Sequence, residues 1–246
     1  MHSEPELATA LDKLLNELSA QHKQLKLAHH FSTFKDVEIS SQQWLSLQSF
    51  VPDSILNSLS KRQSSFFYGR VCAEQALTEL GAPPKLDIGK MRQPIWPNGV
   101  KGSISHCHGI ALAVATDQWD LHGIGIDIEL FLDNRTRDVI KKSALNTSEQ
   151  EQLNRWMDIT GLSANKLVTI IFSIKESFYK AVSNYVNRIL EFDAIEIVNI
   201  TQKNIEFIIQ EKSVVDTLIK QGVIQHVSLK GQYIVHEYHA ITCVVL

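Results

Sequence analysis

Apolar side chains recur at helical spacing in three long stretches of the chain. Leucines between positions 7 and 18 predict an amphipathic helix over residues 5–20. A second pattern predicts a helix over residues 60–80, which ends at Gly81. A third predicts a helix over residues 163–186 with one buried stripe, made of Leu167, Ile171, Ile174, Phe178, Ala181 and Tyr185.

Short apolar runs rich in β-branched residues predict strands in two other regions. Residues 103–130 contain three such runs separated by turns. After residue 192 come alternating runs typical of antiparallel sheet: AIEIVNI, NIEFIIQ, QHVSLK, QYIVHEY and AITCVVL. Between these regions, Thr147 and Gln150 offer a capping box for a further helix. The order of elements indicates an α+β fold of two similar halves that meet near residue 120, although no residue-level repeat is visible.

Composition favours one packed globular protein. Of the 246 residues, 44% are hydrophobic and 21% are charged, so the chain can bury a core and does not have the composition of a disordered protein. The 11 glycines and six prolines leave little material for a flexible linker, and two halves would therefore pack together. The net charge of −3 argues against a broad cationic surface, so no nucleic-acid partner is expected.

Cysteine usage and hydropathy bear on the compartment. Cys72, Cys107 and Cys243 are odd in number and form no CxxC pair, which argues against a disulfide framework or a zinc ribbon. The N-terminus is too polar for a secretory signal, and no apolar run approaches the roughly 20 residues that span a bilayer. We therefore expect a cytoplasmic protein without membrane association.

Two acidic residues, Asp127 and Glu129, stand at i and i+2 in an apolar run. Strand alternation sends both side chains to the same face. Close carboxylates on an apolar strand repel each other and lose hydration, which favours a hard divalent cation such as Mg²⁺ beside them. The alternative is a solvated sheet face with basic neighbours, and spacing alone favours that alternative.

The helix predicted over residues 163–186 carries a second stripe, separate from the buried one. Phe172, Glu176 and Lys180 lie four residues apart along it. This stripe offers a carboxylate and a cation to a site. Taken alone, however, Glu176 and Lys180 are more simply read as an exposed ion pair that contributes little stability.

Charge is divided locally in a way that the total conceals. Residues 61–101 hold seven Lys or Arg against three Asp or Glu, whereas residues 115–130 hold four acidic and no basic residues. A basic segment beside an acidic one suits a polyphosphate ligand, which needs cations and a metal. No P-loop or dinucleotide-binding fingerprint is present. Zinc is not expected at residues 106–108, because no second ligand cluster has zinc spacing.

Three ordered blocks resemble the 4′-phosphopantetheinyl transferases of the surfactin-type and enterobactin-type superfamily. They are RQPIWPNGVKGSISH at 92–106, GIGIDIE at 123–129 and FSIKESFYKA at 172–181, and GRVCAEQAL at 69–77 is similar to the enterobactin-type branch. The resemblance implies an α+β fold of two pseudo-symmetric halves, each a small sheet packed on helices, with the active site in the cleft between them. Residues 1–120 would form the half that binds the phosphates of coenzyme A. Residues 121–246 would form the half with the metal-binding and catalytic residues.

The resemblance also implies a role for each matched residue. Asp127, Glu129 and Glu176 would hold Mg²⁺, with Mn²⁺ as the alternative metal. Glu176 would also take the proton of a carrier-protein serine, directly or through a metal-bound water. Lys180 would stabilise charge on the departing adenosine 3′,5′-bisphosphate. The contacts to coenzyme A would come from Arg70, Arg92, Ser105, His106, Lys175 and Lys180.

The sequence departs from the family pattern at two positions. Surfactin-type members carry a lysine before the proline of the loop, whereas Gln93 precedes Pro94 here, and Arg92 would substitute for that lysine. Phe172 stands where many members have Trp, which keeps an aromatic packing surface.

The implied reaction is the Mg²⁺-dependent transfer of the 4′-phosphopantetheine arm of coenzyme A to a serine of an apo acyl or peptidyl carrier protein. The carrier would belong to a siderophore or other non-ribosomal peptide, polyketide or polyunsaturated fatty-acid synthase. A monomer is expected, because two fused halves enclose the cleft. The alternatives are a Mg²⁺-dependent nuclease, which would need a basic groove, and a non-catalytic module that binds carrier domains. The retained charged residues of the motifs argue against the latter.

Overall fold

The computed structural model describes residues 4–22 and 25–246. Within these ranges the helices are α1 (Glu4–Gln21), α2 (Ser41–Ser46), α3 (Asp53–Leu56), α4 (Ser60–Glu79), α5 (Asn134–Ala144), α6 (Thr147–Thr160), α7 (Ala164–Val186) and α8 (Lys212–Lys220), with a short 3₁₀ helix at Phe192–Ala194. The strands are β1 (Ala28–Thr33), β2 (Asp87–Ile88), β3 (Pro94–Ile95), β4 (Lys101–Cys107), β5 (Ile110–Thr116), β6 (Ile124–Leu130), β7 (Ile195–Ile200), β8 (Asn204–Ile209), β9 (Ser228–His236) and β10 (His239–Val245). The protein is thus a mixed α/β structure.

The strands form two main antiparallel sheets and a small hairpin. The first sheet has the order β1-β5-β4, and the second has the order β6-β10-β9-β8-β7. Strands β2 and β3 pair only with each other. The edge strands β4 and β6 of the two main sheets lie side by side. Residues from both sheets therefore meet along this line.

Three apolar clusters hold the layers together. Helix α4 packs on one face of the first sheet through residues such as Ala73 and Leu77. Helix α7 packs on the second sheet through residues that include Ile174 and Phe178. The leucines of α1 share a third cluster with residues of both sheets, such as Leu112 and Ile126. Helix α1 therefore packs across the line where β4 and β6 meet.

The long predicted helices are confirmed. Residues 5–20, 60–80 and 163–186 correspond to α1, α4 and α7 within one residue at each end. The capping box before α6 is shifted by one residue from the prediction. Asn146 is the N-cap, and its partner is Glu149, because the side chain of each accepts the backbone N–H of the other.

Other elements differ from the predictions. The runs QHVSLK and QYIVHEY do not form two strands, because β9 continues through Gly231. Strand β1 and helices α5 and α8 were not predicted. In β1 two histidines interrupt the apolar pattern. Helix α8 is nine residues long and lies between two strands, and its own β-branched residues favour the prediction of a strand.

In the part of the chain that the structure describes, no single helix is long and apolar enough to cross a membrane. Helices α6 and α7 pass that test together by length and composition, but they are bent by 111° at their junction.

Candidate functional site

Helix α7 lies directly on β6 because two glycines leave room for its backbone. A Cβ at Gly125 would lie 1.8 Å from the carbonyl oxygen of Ser177, and a Cβ at Gly123 would lie 2.4 Å from that of Ala181. The close approach places Glu176 and Lys180 of α7 beside the acidic side chains of β6.

Asp127 is only 3% exposed, and both of its carboxylate oxygens accept hydrogen bonds. Lys180 Nζ donates to Oδ1 over 2.7 Å, and Ser105 Oγ donates to the same oxygen over 2.8 Å. Ser173 Oγ donates to Oδ2 over 2.7 Å. One ammonium thus balances the buried carboxylate, and three donors fix its orientation.

Glu129 and Glu176 complete an acidic group around Asp127. Burial, followed by the charge of Asp127, raises the pKa of Glu129 from its usual 4.5 to about 7. Burial also raises the pKa of Glu176 against the opposing charge of Lys180, and Asp127 adds to the rise. The carboxylates of Asp127, Glu129 and Glu176 therefore lie in a partly buried site beside a single ammonium, that of Lys180.

This group of carboxylates fits a hard divalent cation. Mg²⁺ and Mn²⁺ prefer oxygen ligands, and three carboxylates lie here beside the single ammonium of Lys180. Burial is the main cause that raises the pKa values of Glu129 and Glu176, and a bound cation would offset this loss of hydration. A different set of residues brings its possible ligand atoms closest together. Among residues 4–22 and 25–246, the set whose three ligand atoms all lie within 4.8 Å of one another is Glu6, His236 and Glu237, near the surface. The oxygens of Asp127, Glu129 and Glu176 are thus less tightly gathered than the ligand atoms of that set.

A cleft of about 690 Å³ opens beside Glu129. Its wall combines basic or imidazole groups with apolar surface. The former are Lys61, Arg62, Arg92, His106 and His108, and the latter include Ile55, Leu59, Phe66 and Ile88. Desolvation by the surrounding protein, together with the charge of Lys180, lowers the pKa of His106, although part of this residue is exposed at the cleft. The cleft can therefore receive a ligand that is both anionic and partly apolar.

Arg70 lies behind the cleft wall rather than on it. It is 4% exposed, and its guanidinium carbon lies 5.1 Å from the centroid of the Phe66 ring. Burial lowers the pKa of Arg70 to about 10, although Glu74 and Asp87 oppose the change. Its Nη1 is buried and has no hydrogen-bond partner in the described residues. A buried guanidinium with an unused donor is suited to an anion.

Arg92 and Gln93, in the loop before β3, have side chains with different surroundings. Arg92 has a φ of 64°, in the left-handed region, and lines both the cleft and a smaller cavity of about 200 Å³ beside Lys180. The Gln93 side chain folds back and accepts the backbone N–H of Met91 over 3.0 Å. Arg92 is thus the cationic group of this loop at the cleft.

Two of the predicted coenzyme A contacts are placed elsewhere. Ser105 is 3% exposed, does not line the cleft and directs its hydroxyl to Asp127. The ammonium of Lys175 lies in a buried ion pair with the carboxylate of Glu149 and donates to Ala144 O over 2.8 Å. One residue along a helix is a rotation of about 100°, and the Lys175 ammonium accordingly reaches Glu149 of α6, although Lys175 and Glu176 both line a small cavity of about 200 Å³. Contact of Ser105 and Lys175 with coenzyme A stays a prediction.

The structure adds three residues to the predicted set. Lys61 and Arg62 line the cleft from the first turn of α4, and Ser173 holds the second oxygen of Asp127. The basic pair was visible in the sequence only as part of a charge surplus. Ser173 stands seven residues before Lys180 and so lies on the same face of α7, which is the signal that could have identified it.

Comparison with known proteins gives concordant matches. A family model described as 4′-phosphopantetheinyl transferase N-terminal domain matches residues 52–116, and one described as 4′-phosphopantetheinyl transferase superfamily matches residues 123–242. Enterobactin synthase component D of Salmonella typhi is 36% identical over 145 residues, which are 59% of this chain and 58% of that protein. Its counterpart in Escherichia coli (strain K12) is 36% identical over 152 residues, 62% of this chain and 69% of that protein.

A third relative carries a different name. The 4′-phosphopantetheinyl transferase Npt of Nocardia iowensis is 35% identical over 128 residues, which are 52% of this chain and 54% of that protein. The chain thus spans less than two thirds of the length of the Salmonella and Nocardia relatives.

Proposed function

The chain belongs to the 4′-phosphopantetheinyl transferase superfamily, and from this premise we propose that it transfers the 4′-phosphopantetheine arm of coenzyme A to a serine of an apo carrier protein. The observation that carries the proposal is the meeting of a basic, partly apolar cleft with three carboxylates and Lys180. The relatives named enterobactin synthase component D support a carrier domain of a siderophore or other non-ribosomal peptide synthase. Polyketide and polyunsaturated fatty-acid synthases are the other candidate carriers.

Coenzyme A combines phosphate groups with a long, partly apolar arm. We assign its phosphates to the wall formed by the cations Lys61, Arg62 and Arg92 and by the imidazole of His106. Arg70, whose Nη1 lacks a partner, would neutralise the 3′-phosphate once the ligand displaces the Phe66 ring that covers it. Bidentate guanidinium contacts suit phosphate oxygens particularly well.

Asp127, Glu129 and Glu176 would hold Mg²⁺, with Mn²⁺ as the alternative. The bound cation would neutralise charge on the pyrophosphate of coenzyme A. The three side chains supply hard oxygen donors and an excess of negative charge, which supports the assignment.

The reaction would be a phosphoryl transfer. The serine oxygen forms a bond to the phosphorus that bears the pantetheine arm, and the bond from that phosphorus to the bridging oxygen breaks, which releases adenosine 3′,5′-bisphosphate. Glu176 accepts the serine proton, directly or through a water molecule. Lys180 turns its ammonium from Asp127 to the phosphate and stabilises the charge on the leaving group.

The carrier protein would dock near the entrance to this site. Helix α5 packs against α7 and carries four Lys or Arg against one Asp, although the whole chain has a net charge of −3. Its exposed face combines Arg135, Val139 and Lys142 at helical spacing. Carrier domains are typically acidic, so this basic and apolar face supplies complementary charge.

The proposal includes the organisation of the chain. Residues 1–120 would form one half and residues 121–246 a second, pseudo-symmetric half, with the active site in the cleft between them. The separate sheets, each backed by a long helix, support this division. A monomeric, cytoplasmic enzyme remains a prediction, supported by three free, buried cysteines that suit a reducing compartment.

The experiment is incubation of the protein with coenzyme A, Mg²⁺ and several apo carrier domains, followed by intact mass measurement of each carrier. The proposal predicts that at least one carrier gains the mass of one phosphopantetheine group. No gain on any carrier, with a known transferase active on the same samples, would contradict it.

A further inference from the structure

The line where β4 and β6 meet is joined by side chains of β4. Ser103 Oγ accepts the N–H of Ile126 over 3.0 Å, and Ser105 Oγ accepts the N–H of Ile128 over 3.1 Å. Cys107 Sγ accepts the N–H of the next alternate residue, Leu130, over 3.2 Å. Every second side chain of β4 thus takes the place of a backbone carbonyl, and the three contacts fix the register of the two strands.

Ser105 differs from the other two members of this ladder in what else it contacts. Its hydroxyl donates to Asp127 Oδ1 over 2.8 Å and accepts from Lys180 Nζ over 3.0 Å as well as from Ile128 N. A hydroxyl has one proton to donate and two lone pairs. Within the protein, Ser105 therefore uses its whole hydrogen-bonding capacity.

The same aspartate is held from the opposite side by α7. Ser173 Oγ donates to Asp127 Oδ2 and lies 2.9 Å from Thr242 Oγ1, which in turn lies 2.7 Å from Ser177 Oγ. These hydroxyl groups are fully buried. Rotation of the carboxylate would break contacts to β4 and to α7 at once, so Ser105 is one of the groups that fix where the carboxylate points.

We propose that Ser105 is a positioning residue that couples the β4–β6 register to the direction of the Asp127 carboxylate and the Lys180 ammonium. The inference rests on the proposed function, because it assumes that Asp127 serves a metal and Lys180 a phosphate. It assigns Ser105 to the orientation of those two groups.

The test compares Ser105→Ala with Ser103→Ala. Both variants remove one hydroxyl of the ladder and leave one buried N–H of β6 without its partner, so both should lose similar stability. Only Ser105→Ala also removes contacts to Asp127 and Lys180. Ser105→Cys is the conservative variant, because Cys107 shows that a thiol can accept the N–H of β6.

Three quantities are measured for each variant: binding of Mn²⁺ by electron paramagnetic resonance at saturating coenzyme A, binding of coenzyme A by calorimetry without metal, and kcat with KM for coenzyme A. For Ser105→Ala we expect Mn²⁺ affinity and kcat to fall about tenfold or more, as is typical when a group that orients a metal ligand is removed. Metal-free binding of coenzyme A should fall by a smaller factor, because only the contact of Lys180 with the phosphate is affected. Ser103→Ala should keep wild-type values for all three, and Ser105→Cys should recover part of the loss.

Two results would overturn the proposal. Weaker metal-free binding of coenzyme A as the main effect of Ser105→Ala would identify Ser105 as a ligand contact. Equal losses of Mn²⁺ affinity and kcat in Ser103→Ala would show that Ser105 only connects the two strands. A wild-type protein that transfers nothing to any carrier would refute the proposed function alone, since the Mn²⁺ measurement would still judge Ser105. A wild-type protein that binds no Mn²⁺ would overturn the positioning role.

Discussion

Lys175→Met tests whether the lysine next to Glu176 stabilises the fold or binds coenzyme A. The side chains of Lys175 and Glu149 are 2% and 0% exposed, and the nitrogen–oxygen distance is 2.8 Å. Removal of the ammonium would leave the Glu149 carboxylate buried with two backbone donors, the N–H groups of Asn146 and Ile197. Breaking a buried ion pair costs about 3–5 kcal/mol, and the two remaining donors favour the low end, about 3 kcal/mol. For a chain of this length, that corresponds to a fall in Tm of about 6–12 °C.

The assay is urea unfolding, with calorimetric binding of coenzyme A measured on the same samples. Lys230→Met is the matched control, because its ion pair with Glu206 is exposed and should contribute little. The double variant Glu149→Gln/Lys175→Met should be more stable than Lys175→Met, since it leaves no unpaired buried charge. An unchanged free energy of unfolding in Lys175→Met, together with weaker binding of coenzyme A, would refute the reasoning and identify Lys175 as a contact of coenzyme A.

Three further predictions concern the carboxylates, the contact between β6 and α7, and the phosphate site. The pKa of Glu129 is about 7 in the folded protein and 4.5 ordinarily, so between these pH values the native state holds a proton that the unfolded state has lost. The metal-free protein should therefore lose stability as pH rises from about 5 to 7, by at most about 3 kcal/mol. With chelator present, the unfolding midpoint should change less steeply with pH in Glu129→Gln than in the wild type, and an equal slope would contradict the assignment. Gly125→Ala should destabilise by about 3 kcal/mol or more, because its Cβ would lie 1.8 Å from Ser177 O, and a loss below about 1 kcal/mol in urea unfolding would show that α7 moves away easily. Arg70→Ala should weaken calorimetric binding of coenzyme A more than that of dephospho-coenzyme A, and equal losses would remove its role at the 3′-phosphate.

Sequence periodicity predicted the elements that carry the site. The spacing of Glu176 and Lys180 on one helix and of Asp127 and Glu129 on one strand was enough to place each pair on a common face, and α7 and β6 do bring them together. The same helical geometry turns Lys175 by about 100° from Glu176. The ion pair of Lys175 with Glu149 could not be predicted, because that contact depends on how α6 packs against α7.

The role of Ser105 could not be predicted from the sequence for a related reason. Its partners Asp127 and Lys180 are 22 and 75 residues away, and the contact with β6 uses side chains rather than a backbone ladder. No local pattern signals such a junction. Arg70 shows the opposite case: its basic character was evident, whereas its burial behind Phe66 depends on the packing of α4.

The most direct test of the proposed transfer is a single sample in which both products are counted. Wild-type protein and Glu176→Gln are each incubated with coenzyme A, Mg²⁺ and an apo carrier domain, and carrier mass and adenosine 3′,5′-bisphosphate are measured together. We predict one adenosine 3′,5′-bisphosphate released per carrier modified by the wild type, and neither product with Glu176→Gln although that variant stays folded. Release of the nucleotide without modification of the carrier, or near-normal transfer by Glu176→Gln, would contradict it.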